Sequence, residues 1–267
     1  MSGAVACAGR HPVSDHRAVC PPLPQPHLVA AGADGERHER FDVFDAPALW
    51  QGAPEDAAAA SYRRKLTAKL AHDLQPRWLL ERQRDVFAAG SQRRETLNIE
   101  AVLAGKVGTL VVPGCIERQL FARQAARVPM VERPSEFGAF VLRRGNRVRI
   151  YFSSTKTVGG RISREVTTRV QADVAAGYRL VAHLHNHPFL TDRRVGDRMW
   201  TTPETLRDVS GALAPSLTDA QFFSNSVADG LPLESAWITN GLDSIRITAS
   251  EFPALAQHQP SPFALPP

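Results

Sequence analysis

The sequence predicts an α/β fold with a mixed central sheet flanked by helices, and three observations point to it. Short apolar runs that alternate with period two recur through the middle of the chain, as at Val148, Ile150 and Phe152. Stretches with helical spacing separate them, as at Tyr62, Leu66, Leu70 and Leu74. Hydrophobic residues make up 43% of the 267 positions, enough for one good-sized domain with an appendage or for two small domains. Strands alternating with helices and hairpins imply helices packed on a mixed sheet.

Along the chain, residues 1–55 read as a disordered or loosely docked N-terminal region. Pro12, Pro21, Pro22, Pro24 and Pro26 break any periodicity there, while Phe41, Val43, Phe44, Leu49 and Trp50 form a small apolar cluster able to dock. Residues 56–95 read as a helical segment, interrupted at Pro76 and continued by Trp78, Leu79, Leu80, Val86 and Phe87. Residues 96–255 form the main domain, and 256–267 a flexible C-terminal tail.

Within the main domain, Gly108–Pro113 is a short strand, and a helix over Ile116–Arg127 turns Ile116, Leu120 and Ala126 inward. Glu136–Leu142 is a strand, and Arg143–Asn146 turns the chain into an antiparallel partner. Ser163–Ala176 is a helix ended by Gly177. Tyr178–His185 is the next strand, residues 189–215 are a long insertion, and Ser216 opens another helix. Ala236–Thr239 and Ile245–Ile247 complete the sheet.

Composition excludes some classes. No apolar run reaches the roughly 18 residues of a spanning helix, so no membrane partner is expected. Met1–Arg10 lacks a basic start followed by an apolar stretch, which leads to the expectation of a soluble, cytoplasmic protein. The net charge of +5 is scattered among acids, which argues against a nucleic-acid footprint despite the arginine pairs. Cys7, Cys20 and Cys115 form no C-x-x-C pair and argue against both a disulfide framework and a cysteine-ligated metal.

The most informative string is Val181–Pro188. Side chains repeat every two residues along a strand, so His183, His185 and His187 project from one face, and two imidazoles so placed can hold one metal ion. The bland alternative is a set of packed strand histidines. A hydrolytic zinc site also needs a third ligand and a base for water. Ser216 and Asp219, three apart in the first turn of a helix, can address one spot. The same Ser-x-x-Asp after a proline is also a helix cap, and the two roles are compatible.

Glu136, His185-Asn186-His187-Pro188 and Ser216-Leu217-Thr218-Asp219 together resemble the signature of the JAMM (MPN-type) zinc metalloproteases over about Val107–Phe252. The His-Asn-His-Pro wording is similar to the RadC branch of that family. The resemblance implies an MPN-like fold, with Zn2+ held by His185, His187 and Asp219. It further implies that Glu136 is the general base and that Ser216 donates a hydrogen bond to the oxyanion or to the bound water. The substrate it implies is a protein or peptide, including a ubiquitin-like conjugate cleaved at an isopeptide bond. In one respect the chain departs from the family: residues 188–215 separate His187 from Ser216, where the family has a much shorter connection, and the usual aspartate position holds Arg198. Asp192 or Asp197 is the substitute ligand if Asp219 does not reach, Glu132 competes with Glu136 as the base, and His183 is a packing or a ligand histidine. A catalytically silent MPN-like scaffold and a RadC-like DNA-associated protein are the other functional readings.

Overall fold

The computed structural model describes residues 20–32, 36–90, 92–158, 162–191 and 210–257. Eight strands form one mixed sheet: β1 (His27–Ala31), β2 (Arg37–Phe44), β3 (Thr109–Val111), β4 (Phe137–Arg144), β5 (Arg147–Ser154), β6 (Arg179–Asn186), β7 (Ser235–Thr239) and β8 (Ser244–Thr248). Their order across the sheet is β1-β2-β5-β4-β6-β7-β8-β3, antiparallel throughout except where β6 runs parallel to β7. Among the described residues no helix is long and apolar enough to cross a membrane.

Three helices precede β3: α1 (Ala57–Leu70), α2 (Pro76–Ala89) and α3 (Thr96–Leu103). Asp56 caps α1 by accepting from the Ala59 amide, and Tyr62, Leu66 and Leu70 form its buried stripe at intervals of four. Pro76 stands in the first turn of α2, where its missing N–H costs nothing. These helices share one continuous hydrophobic core with the sheet, to which Leu66, Leu79 and Leu80 contribute alongside Phe137, Phe152 and Leu184.

α4 (Cys115–Arg127) joins β3 to β4 and α5 (Arg164–Ala175) joins β5 to β6. The inner face of α4 is Ile116, Glu117, Leu120, Phe121 and Gln124, whereas Ala126, predicted inward, faces solvent. Buried Glu117 accepts from the Gly114 amide and from Arg246 at 2.9 Å, so a charge that the apolar pattern assigns to the surface points inward against a partner on β8. α6 (Leu217–Ala228) lies between the long insertion and β7.

Two expectations are corrected. Residues 27–31 and 37–44, read as part of a disordered or loosely docked region, are integral sheet strands, with β2 paired along its whole length to β5. The string Arg37–Phe44 looks polar because its buried groups find partners far away in sequence. Glu39 takes Arg123 of α4 at 2.8 Å, and His38 meets the Ser153 hydroxyl at 2.9 Å. The cysteines also behave otherwise than expected: Cys20 and Cys115 form a disulfide. A search for close spacing misses a pair separated by 95 positions. The expected disorder of residues 1–19 and the tail at 258–267 lie outside the described residues.

Candidate metal centre

The site forms where the end of β6 meets the start of α6. β6 is central, bonded to β4 on one side and β7 on the other, so its backbone is fixed by two ladders. His183 and His185 lie within it, and His187 follows one residue past its end, held by donating its amide to the Thr239 carbonyl at 2.9 Å. The period-two projection holds, with ring centroids 5.4 Å apart between His183 and His185 and 5.0 Å between His185 and His187.

Asp219 arrives from the other side. Ser216 is the N-cap of α6, its hydroxyl accepting from the Asp219 amide at 3.1 Å, while the Asp219 carboxylate accepts from the Ser216 amide at 2.8 Å. The same carboxylate accepts the Ser216 hydroxyl proton at 2.8 Å. The turn before the helix is pinned from α3 and the residue preceding it: the Glu95 carboxylate accepts from the Leu217 amide at 3.2 Å, and buried Asn98 of α3 donates to the Pro215 carbonyl at 3.1 Å.

With both sides in place, His185 Nε2 lies 3.4 Å from one Asp219 oxygen and His187 Nε2 lies 3.3 Å from the other. The two Nε2 atoms are 3.1 Å apart. One ligand atom from each of the three residues falls within 4.8 Å of the others, the only such grouping among the described residues. The side chains keep 13 to 21% exposure, so the cluster is not sealed from solvent.

The donor set fits a divalent cation. His187 Nδ1 lies 2.9 Å from the Ala212 carbonyl, and because a carbonyl only accepts, that nitrogen carries the proton. In the neutral ring, Nε2 then presents its lone pair toward His185 and Asp219, the tautomer that a metal ligand needs. Two imidazole nitrogens and one carboxylate are the donor chemistry of zinc sites that keep a fourth position open. Burial lowers the affinity of His187 for a proton, but Asp219, the Ala212 carbonyl and Glu136 more than offset it, and its pKa stands above the ordinary value. For Asp219 burial favours the neutral form, yet the charge and hydrogen bonds of His185 and His187 hold it well below the usual carboxylate range.

His183 stays outside the grouping. Its ring packs on Phe222 at 4.6 Å and Phe140 at 5.3 Å. Burial above all, with His185 adding to it, pushes its pKa down to about 3, so it is a neutral packing histidine. Glu136 immediately precedes β4, where Gly138 pairs with His185, and its charge acts on His187. Glu132 faces solvent in a turn whose amide bonds the Pro129 carbonyl. Asp192, Asp197 and Arg198 of the insertion lie outside the described residues.

The sequence reading missed several contributors to this arrangement: Asn186, Glu95, Asn98 and the Ala212 carbonyl. Only Asn186 carried a local signal, its place between the two histidines. Compared with protein-family models, curated proteins and solved structures, the chain matches none.

Proposed function

We propose that the protein is a zinc-dependent hydrolase of amide bonds in proteins or peptides, working as JAMM metallopeptidases do. The observation that carries this reading is the convergence of His185 Nε2, His187 Nε2 and the Asp219 carboxylate within 4.8 Å of one another, partly exposed, with the charge of Glu136 acting on His187. Its support in sequence is the resemblance of Glu136, His185-Asn186-His187-Pro188 and Ser216–Asp219 to the family signature.

His185, His187 and Asp219 would hold the ion. Zinc, when bound, supplies Lewis acidity and brings the pKa of its water to about 7. Glu136 would accept at its carboxylate the proton given up by the water that attacks the amide carbon, and would return it to the amine as the C–N bond breaks. Ser216 holds the Asp219 carboxylate and, on turning its hydroxyl, can donate to a developing oxyanion.

The test combines metal analysis with hydrolysis of a peptide panel and of ubiquitin-like fusions. We expect one zinc per chain, and a Glu136→Gln variant that keeps the zinc and loses roughly 10²- to 10⁴-fold in turnover. A wild-type chain without stoichiometric zinc, or a Glu136→Gln variant as active as wild type, would sink the proposal.

A further inference from the structure

Asn186 stands between the two candidate ligands on β6, and it is fully buried. Alternation turns it away from the face that carries His185 and His187. Its side-chain oxygen accepts from the Phe137 amide at 2.7 Å, and its side-chain nitrogen donates to the Ser135 carbonyl at 3.0 Å. Those two backbone groups flank Glu136. The backbone of Glu136 itself is held from the segment just past β5. Its amide donates to the Thr157 carbonyl at 3.0 Å, and its carbonyl accepts the Thr155 hydroxyl at 2.6 Å and the Thr155 amide at 3.3 Å. Ser135 is fastened to α4 as well, its hydroxyl accepting from Gln124 at 2.6 Å.

We propose that Asn186 is a positioning residue that sets the height of Glu136 over the histidine pair. It deepens the reading of Glu136 as base and of His185 and His187 as ligands, and it rests on that reading. The strand that would carry the ligands thereby also reaches the residues on either side of the base, through the Asn186 carboxamide. The chemistry asks for one donor and one acceptor at carboxamide spacing in a buried site. An ionised aspartate lacks the donor, and leucine, of similar shape, lacks both. Because the group is buried, the orphaned Phe137 amide and Ser135 carbonyl of a variant must seek other partners, and the segment carrying Glu136 shifts. A displacement near 1 Å at a reacting group is enough to cost about 100-fold in rate.

The experiment uses the full chain loaded with Co2+, whose visible absorption reports the ion's surroundings without a substrate. Wild type, Asn186→Ala, Glu136→Gln and the double variant are compared for cobalt bound per chain and for the pH at which the spectrum changes. We expect Asn186→Ala to bind one cobalt with affinity within about threefold of wild type, since no ligand is touched. Its spectral midpoint should move in the direction of the Glu136→Gln midpoint, and Asn186→Ala should add nothing further in the Glu136→Gln background. On any peptide that wild type cleaves, kcat should fall about 10- to 100-fold with KM within about threefold.

An Asn186→Ala midpoint equal to wild type, an equal shift in the Glu136→Gln background, or loss of cobalt overturns the inference. So does a wild-type spectrum that Glu136→Gln leaves unaltered. If circular dichroism shows Asn186→Ala unfolded, Asn186→Asp carries the test. It keeps the acceptor for the Phe137 amide, sets an oxygen against the Ser135 carbonyl, and should shift the spectrum in the same direction. A wild-type chain that takes up no cobalt removes the metal reading and this inference with it. A wild type that binds cobalt, with a variant identical to it, removes this inference alone.

Discussion

Ser216 and Asp219 exchange three hydrogen bonds across the first turn of α6, and the same Asp219 carboxylate faces both His185 and His187. A helix cap and a candidate metal ligand are thus one group. The arrangement suits an anion twice over, because the start of a helix carries the positive end of its dipole. It also makes the carboxylate rigid before any ion arrives, so little side-chain entropy remains to be lost on binding.

Substitutions at the two positions should therefore separate. Ser216→Ala removes the cap, and denaturant unfolding should show a loss of about 1 kcal/mol. Zinc affinity should fall by roughly 10-fold, as it does when a group orienting a ligand is lost. Asp219→Asn keeps a side-chain oxygen for the Ser216 amide but not the charge. It should retain most of the stability and lose stoichiometric zinc. Asp219→Asn protein that still holds one zinc per chain would show that another acid completes the site.

A pH dependence follows from His38 on β2. Burial pulls its imidazole below the ordinary value, with Glu36 and Glu165 opposing. The folded chain therefore binds a proton here less readily than the unfolded chain. The stability tied to this group is complete above pH 6.5 and is lost as pH falls through 6.5 toward the lowered folded value. His38→Gln abolishes that contribution. The wild-type melting temperature should fall more steeply between pH 7 and pH 5 than that of the variant, and parallel curves would refute the assignment.

The contrast between β2 and β6 shows what was legible in the sequence and what was not. β6 and α6 were readable because their signals are local: histidines at period two, and a cap residue three positions before an acid. β2 was not, because it buries His38 and Glu39 against Ser153 and Arg123, whose positions only the folded chain determines. The roles of Asn186 and Asn98 were hidden for the same reason. Their partners are backbone groups of Ser135, Phe137, Pro215 and Ala256, and backbone groups leave no trace in a string of side chains. On α4 the spacing rule went astray at Ala126, since a small residue near a helix end fits either face.

The Cys20–Cys115 bond ties the segment before β1 to the first turn of α4, across a separation of 95 positions. Beside it, Gln119 of α4 accepts from the Leu23 amide at 2.6 Å and donates to the Pro21 carbonyl. Closing so long a loop restricts the unfolded chain, and removing the bond by Cys20→Ser should cost about 2–4 kcal/mol. Thiol counting provides the check: of the three cysteines, one should react in the unfolded, unreduced chain and all three after reduction. Three reactive thiols before reduction would show the bond absent.

Gly211 offers a separate test of the site through its supporting shell. Its φ is +72°, a conformation that side chains rarely adopt, and a Cβ there would lie 2.3 Å from the ring of Phe189. Phe189 is fully buried two residues after His187, and the next carbonyl along from Gly211, that of Ala212, fixes the His187 tautomer. Gly211→Ala should therefore strain the backbone by about 1–2 kcal/mol and add about 1–3 kcal/mol from overpacking. It should also weaken zinc binding by about 10- to 100-fold, because the Ala212 carbonyl and His187 move apart. Gly145→Ala is the control: φ is +56°, nothing lies within 4 Å of its Cβ, and the position is in the β4–β5 turn. It should show the backbone cost alone and bind zinc as wild type does. Equal zinc affinity in the two variants, measured by competition with a chelating dye, would mean that the Ala212 contact does not govern His187.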